Sequence, residues 1–214
     1  MDVPMDNNRV ALFGRVLSAP QFSHALFGEA FYQFPLIVPR LSGVEDILPI
    51  TASERLFLSP PQEDQEFFIG GQLRSYNMQA NTGNRLLVTV FARQISEQIP
   101  SATQSRNEII LNGFICKPPV YRKTPFAREI TDLLLAVNRP YHKSDYLPVI
   151  VWGRNARFAS DLRVGDRLHV TGRVQSRPYQ KTLLDGTAVA RIAYEVSAST
   201  VRFFEQVTPA PHAP

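Results

Sequence analysis

The segment Tyr146-Leu147-Pro148-Val149-Ile150-Val151-Trp152 alternates two kinds of side chain. Successive strand residues point to opposite faces, so Leu147, Val149 and Val151 share a face suited to a core, and Tyr146, Ile150 and Trp152 share the other. Tyr146 and Trp152 are six residues apart, roughly 20 Å along a strand at ~3.3 Å per residue. Tyr141 follows Arg139-Pro140 in the turn before this segment, and Tyr179 follows Ser176-Arg177-Pro178 in an expected hairpin. Cationic side chains flank all four rings: Arg139, Lys143, Arg154, Arg177 and Lys181. Flat rings beside cations can stack unpaired bases while the cations neutralise phosphates. Such stacking is worth ~1–3 kcal/mol per base, and each neutralised phosphate adds a salt-dependent term. The same aromatics also suit a barrel surface or a subunit interface.

Other chemistries have less support. Gly70-Gly71 is not followed by the Gly-Lys-Ser/Thr of a phosphate-cradling loop. His24, His142, His169 and His212 have neither metal-ligand spacing nor a paired nucleophile. No metal and no cofactor is expected. His169 falls in a strand and reads as packed or surface. Cys116 is the only cysteine, which excludes a disulfide scaffold and a Cys-based zinc cluster; it reads as a small buried hydrophobe. Asp145, Asp161 and Asp166 could in principle line a nuclease site on a barrel. The expectation is nonetheless that the chain is not an enzyme.

The elements that must position the aromatics occur twice. Asn8-x-Val10-x-Leu12-x-Gly14-x-Val16 recurs as Asn107-x-Ile109-x-Leu111-x-Gly113-x-Ile115, an offset of 99. At the same offset Pro20 matches Pro119, Leu36-x-Val38-x-Arg40 matches Leu135-x-Val137-x-Arg139, and Asp46-x-Leu48-Pro49-Ile50 matches Asp145-x-Leu147-Pro148-Val149. Gly71 and Ser75 match Gly172 and Ser176 at an offset of 101. Four blocks in register indicate two copies of one domain. Each copy alternates apolar and polar residues with the period of a half-buried strand. Gly14 and Gly113, inside such strands, suit a coiled strand shared by two edges of a small barrel.

The second copy predicts further strands near 129–138, 145–152 and 166–175 and a last strand over 190–203, after a turn at Asp185-Gly186. A short helix within 154–162 is expected, with Phe158, Ala159 and Leu162 on one side. Five strands with a helix between the third and fourth is the order of an oligonucleotide/oligosaccharide-binding (OB) barrel. The expected architecture is all-β with a short helix: two tandem five-stranded Greek-key barrels. The first copy fits less cleanly, because Pro60-Pro61-Gln62-Glu63-Asp64 occupies the helix position; Asn81-Thr82-Gly83-Asn84 is its hairpin turn. The expected division is residues 1–96, a linker over 97–106, a second barrel over 107–204, and a disordered Pro-rich tail over 205–214.

Composition supports this. The chain has 214 residues, 44% of them hydrophobic and 20% charged, enough to bury a core in each half. No apolar run approaches the ~20 residues of a membrane span, and MDVPMDNNRV is not a signal peptide. A cytoplasmic location is expected. Residues 1–100 hold 7 Lys+Arg and 10 Asp+Glu, a net of −3; residues 101–214 hold 16 and 9, a net of +7. The positive excess therefore lies wholly in the second half, which favours a polyanionic partner.

Residues 107–203 resemble the bacterial single-stranded-DNA-binding protein family through NEIILNGFICKPPVYRKTP, LLLAVNRPY, DYLPVIVWGRNARFA, GDRLHVTGRVQSRPY and YEVSASTVRFF. The resemblance implies ssDNA carried on four aromatic positions, here Tyr141, Tyr146, Trp152 and Tyr179. It also implies phosphate contacts at Arg122, Lys123, Arg139, Arg154, Arg173 and Arg177, with Lys143 and Lys181 beside them. The family usually has glycine in the hairpin where this chain has Phe126-Ala127-Arg128. The first copy shares only the framework, through NRVALFGRVLSAP and GGQLRSYN. Its platform positions become Ser42, Ile47, Ser53 and a place near Met78 with Tyr76 close by. It is therefore expected to serve assembly more than stacking, with Phe31-Tyr32-x-Phe34 read as core, the alternative being a different stacking site.

What the resemblance implies as function is non-specific coating and protection of ssDNA in replication, recombination or repair. The implied location is cytoplasmic and nucleoid-associated. A homodimer would supply four barrels. The family usually recruits replication and repair proteins through an acidic tail with an apolar tip; the sequence here ends VTPAPHAP, so recruitment by that route is not expected. The alternative is a primosome or replication-restart accessory that acts mainly by holding proteins.

Overall fold

The computed structural model describes residues 7–80, 83–98, 106–182 and 186–204. The first barrel contains β1 (Asn8–Val16), β2 (Gln21–Leu26), β3 (Glu29–Pro39), β4 (Glu45–Ser53), a 3-10 turn (Glu54–Leu56), β5 (Glu66–Ala80) and β6 (Gly83–Ser96). The second contains β7 (Asn107–Ile115), β8 (Val120–Lys123), β9 (Glu129–Arg139), β10 (Lys143–Trp152), α1 (Arg154–Ser160), β11 (Arg167–Thr182) and β12 (Ala188–Phe203). In the first, hydrogen bonding runs β1-β3-β4-β6-β5 and back to β1; in the second, β7-β9-β10-β12-β11 and back to β7. β4 pairs with β6, and β10 with β12, in parallel, whereas the other pairs are antiparallel. Both closed circuits have the strand order of the OB barrel, with the helix of the second between its third and fourth strands.

The alternation in the sequence closes these circuits. Leu12, Leu36, Leu48 and Ile50 are fully buried in the first barrel, as are Leu111, Leu135, Leu147 and Leu168 in the second. The strand glycines sit where a strand changes partners. β1 pairs with β5 up to Arg15 and meets β3 at Arg15 and Val16. A Cβ on Gly14 would lie 2.2 Å from the Ile37 carbonyl oxygen, and one on Gly113 would lie 2.9 Å from that of Ala136. Glycine is what allows the strand to turn this corner.

The barrels are joined edge to edge. β1 and β7 pair antiparallel, with Asn8 opposite Leu111 and Leu12 opposite Asn107, so one twelve-stranded sheet runs through both. The repeat becomes a pseudo-two-fold. Within each barrel an asparagine side chain clamps a peptide unit: Asn8 on Leu73 and Asn107 on Val174, at 2.7 and 2.9 Å in both cases. Between the barrels, Asp46 accepts the Ser176 N–H at 2.8 Å, and Asp145 accepts the Ser75 N–H at 2.6 Å. Each aspartate is fully buried and gripped by an arginine of its own barrel, Arg40 or Arg139; Asp145 also pairs with Arg74 at 3.1 Å. The serine hydroxyls complete the pattern by accepting the Ile47 and Tyr146 N–H groups.

Some expectations need adjusting. In α1 the buried residues are Ala156 and Ala159, and Phe158 is exposed. The helix position of the first barrel holds only the short 3-10 turn, with Pro60–Asp64 in the loop after it. β2 and β8 are hairpin strands that sequence reading missed. Most of the proposed linker (99–105), the tail (205–214), Asn81-Thr82 and Asp185 lie outside the described residues. No described helix is long and apolar enough to cross a membrane.

Candidate nucleic-acid interface

Along β10 the core face is Leu147, Val149 and Val151, all buried. The opposite face carries Ile150 and Trp152 onto the floor of an open cleft of about 910 Å³. Trp152 is partly buried, and its indole N–H donates to Ser197 Oγ at 3.1 Å, which fixes the ring. Around it stand five arginines: Arg122, Arg128, Arg173 and Arg177 of the second barrel, and Arg40 from the β3–β4 loop of the first. Sequence reasoning did not place Arg128 or Arg40 here. No local pattern marks Arg40 for the cleft, since it arrives only through the docking of the barrels.

The cations differ in how far they are already engaged. Arg122 pairs with Asp132 at 2.6 Å, and Arg177 with the buried Glu195 at 2.9 Å. Arg173 donates to Gln175 at 3.0 Å, yet its buried Nε has no hydrogen-bond partner, the only such side-chain atom among the described residues. Burial lowers the Arg173 pKa, and repulsion from Arg40 lowers it further. The β8–β9 turn beside it is tight: Thr124 N–H donates to the Arg128 carbonyl at 2.8 Å, and Ala127 adopts φ +57°. An alanine thus takes the left-handed conformation that glycine adopts more easily.

The other expected site residues spread outward from this cleft. Tyr146 is 42% exposed, on β10 beside Ser75 of the first barrel, and Tyr141 is 89% exposed in the β9–β10 turn. Lys143, Lys123 and Arg154 are exposed and do not line the cleft. Tyr179, 40% exposed, and Lys181 line a second, smaller cleft of about 370 Å³. None of the four rings is sealed in the interior, but only Trp152 lies in the large cleft. Arg139 is committed elsewhere: its guanidinium is bidentate on Asp145 and lies 5.4 Å from the Tyr76 ring centroid. Its charge holds the barrels together and does not face the cleft.

The first barrel's equivalent face is filled. Phe31, 8% exposed, lies where the second barrel has Ile130, and Phe91 where it has Ser197. Phe31 packs on Phe91 at 5.7 Å and stacks on His24 at 4.9 Å. Ser53 stands at the position of Trp152 and donates to Glu29, and Glu54 accepts the Ala30 N–H at 3.0 Å. Two carboxylates thus border this face. Ser42 is an exposed loop residue and Ile47 is part-exposed; the Met78 side chain lies outside the described residues.

A sequence profile described as the single-strand binding protein family matches residues 106–204. Single-stranded DNA-binding protein of Caldanaerobacter subterraneus subsp. tengcongensis is 34% identical over 106 residues, 46% of this chain and 68% of that protein. Single-stranded DNA-binding protein A of Bacillus subtilis is 32% identical over 106 residues, again 46% of this chain but 59% of its own length. The chain therefore spans less than two thirds of some relatives. The crystal structure of the wild-type single-stranded DNA binding protein from Thermus aquaticus superposes with a TM-score of 0.73 at 24% identity, covering 96% of each chain. This likeness extends over both barrels and concerns the fold.

Proposed function

Because the chain belongs to the single-strand binding protein family, we propose that it binds single-stranded DNA without sequence preference and protects exposed strands in replication, recombination or repair. The observation that carries this reading is the open cleft in which Trp152 is fixed among Arg173, Arg177, Arg122, Arg128 and Arg40. A ring held flat beside cations suits a base and its phosphates, and every base has a face to stack. In this reading the Arg173 guanidinium lies beside a phosphate, and Tyr141, Tyr146 and Tyr179 carry the strand beyond the cleft, with Lys123, Lys143, Arg154 and Lys181 near its backbone. Arg139 has a structural role.

The protein acts by binding and not by catalysis, and works in the cytoplasm. Two copies assemble, bringing four barrels together. The first barrel, with its filled face and bordering carboxylates, serves assembly. That filled face is also what favours the second reading, a replication-restart accessory that holds proteins.

The test is the affinity of the full chain for an oligothymidylate across a salt series, against a duplex of equal length. The reading expects preference for the single strand and a linear fall of log affinity with log salt. Equal affinity for duplex, or none at low salt, contradicts it. Light scattering reads the assembly: twice 24.1 kDa is expected, and a stable monomer refutes the four-barrel form.

A further inference from the structure

The smaller cleft lies where the two barrels meet. Tyr76, Gln33 and Thr89 come from the first barrel, and Tyr179, Lys181 and Arg191 from the second. Tyr179 and Arg191 are cross-strand partners on β11 and β12, so ring and cation stand side by side. Tyr76 and Tyr179 are 43% and 40% exposed, so both rings are open to a ligand. Glu195 is the acid lining this cleft, and its carboxylate is held by Arg177 at 2.9 Å and Gln175 at 2.8 Å. The free charge facing the cleft is therefore positive. The two clefts are also neighbours along one strand: Arg177 and Pro178 line the large cleft, and Tyr179, the next residue of β11, lines the small one.

We propose that this junction is a second nucleotide subsite, in which Tyr76 of the first barrel stacks a base of the strand leaving the Trp152 cleft and Lys181 and Arg191 neutralise its phosphates. The proposal rests on the reading of the larger cleft as a single-strand groove. It gives the first barrel a base-stacking contact, made from β5 and not through its filled face, in addition to Arg40 in the larger cleft. The volume, about 370 Å³, suits a nucleotide, and the occupant is the same polyanion because the charge facing this cleft is positive and its Tyr179 follows Arg177 and Pro178 of the larger cleft on one strand.

The experiment uses the full chain and an oligothymidylate of about 30 nucleotides, long enough to cross both barrels at ~4–16 nucleotides each. Tyr76→Ala is expected to weaken binding about fivefold or more, the equivalent of one stacked base, and Tyr76→Phe to keep it. Because Tyr76 also touches Arg139, a second variant avoids any folding defect: Trp152→Phe with Tyr76→Trp places the sole tryptophan in the junction. Its fluorescence is expected to fall when the oligonucleotide is added. If Trp152→Ala weakens binding while Tyr76→Ala does not, and the tryptophan at 76 is not quenched, the subsite is refuted and the groove reading stands. If the unaltered chain fails to bind, the groove reading itself has failed. If Tyr76→Ala or Lys181→Glu changes the mass in solution but not the affinity, the junction is a contact between copies and the proposal is overturned.

Discussion

Asp46 and Asp145 reach across the same boundary in opposite directions, each accepting a serine N–H from the other barrel while a neighbouring arginine of its own barrel neutralises it. This pair, with the β1–β7 pairing, makes two domains one body. Removing one partner of a buried, hydrogen-bonded ion pair leaves uncompensated charge, at a cost of about 3–5 kcal/mol. Asp145→Ala is therefore expected to lower stability by that amount, since it strands both Arg139 and Arg74. Asp46→Ala, which strands Arg40 alone, should cost less. Urea unfolding of the variants measures both.

Arg139 and Arg173 should part company. Arg139→Gln is expected to reduce the unfolding midpoint and leave the salt dependence of binding unaltered, because its guanidinium is already occupied. Arg173→Gln is expected to reduce the slope of log affinity against log salt by about 1, as for one lost phosphate contact. Identical slopes for the two variants would show that Arg173, though it lines the cleft, has no part in binding.

The filled face of the first barrel gives a third expectation. Phe31→Ala removes a ring packed on Phe91 and His24 and should cost about 3 kcal/mol of stability as a core truncation. Its effect on ssDNA affinity should be smaller than that of Trp152→Ala. Equal losses of affinity would put a stacking site in each barrel.

Most of the framework was legible before the fold was known, and for a physical reason. Period-2 alternation and strand glycines are local signals, and their recurrence at a fixed offset carried the register from one copy to the other. Gly14 and Gly113 were readable as corners because no other residue fits where the strand changes partners. β2 gave no such signal, since Gln21–Leu26 is exposed along almost its whole length. The site was half legible. Trp152 stands out by its place on an alternating strand, but Arg139 looks like a phosphate contact until Asp145, six residues on, is seen to claim it. Arg40 is supplied by docking, which no window of sequence encodes.

The strand corners can be tested directly. Gly113→Ala should destabilise the second barrel by about 1–3 kcal/mol through overpacking, because the new Cβ meets the Ala136 carbonyl. Gly14→Ala, with a contact of 2.2 Å against backbone, should be worse. Thermal melts of the two variants give the order.

Trp152 is the only tryptophan and lies on the cleft floor, so it reports its own occupancy. Adding polythymidylate at low salt should quench its fluorescence, and raising the salt should restore it. Unchanged emission, with no shift of the oligonucleotide in a gel at low salt, would contradict the assignment of this cleft to a single strand.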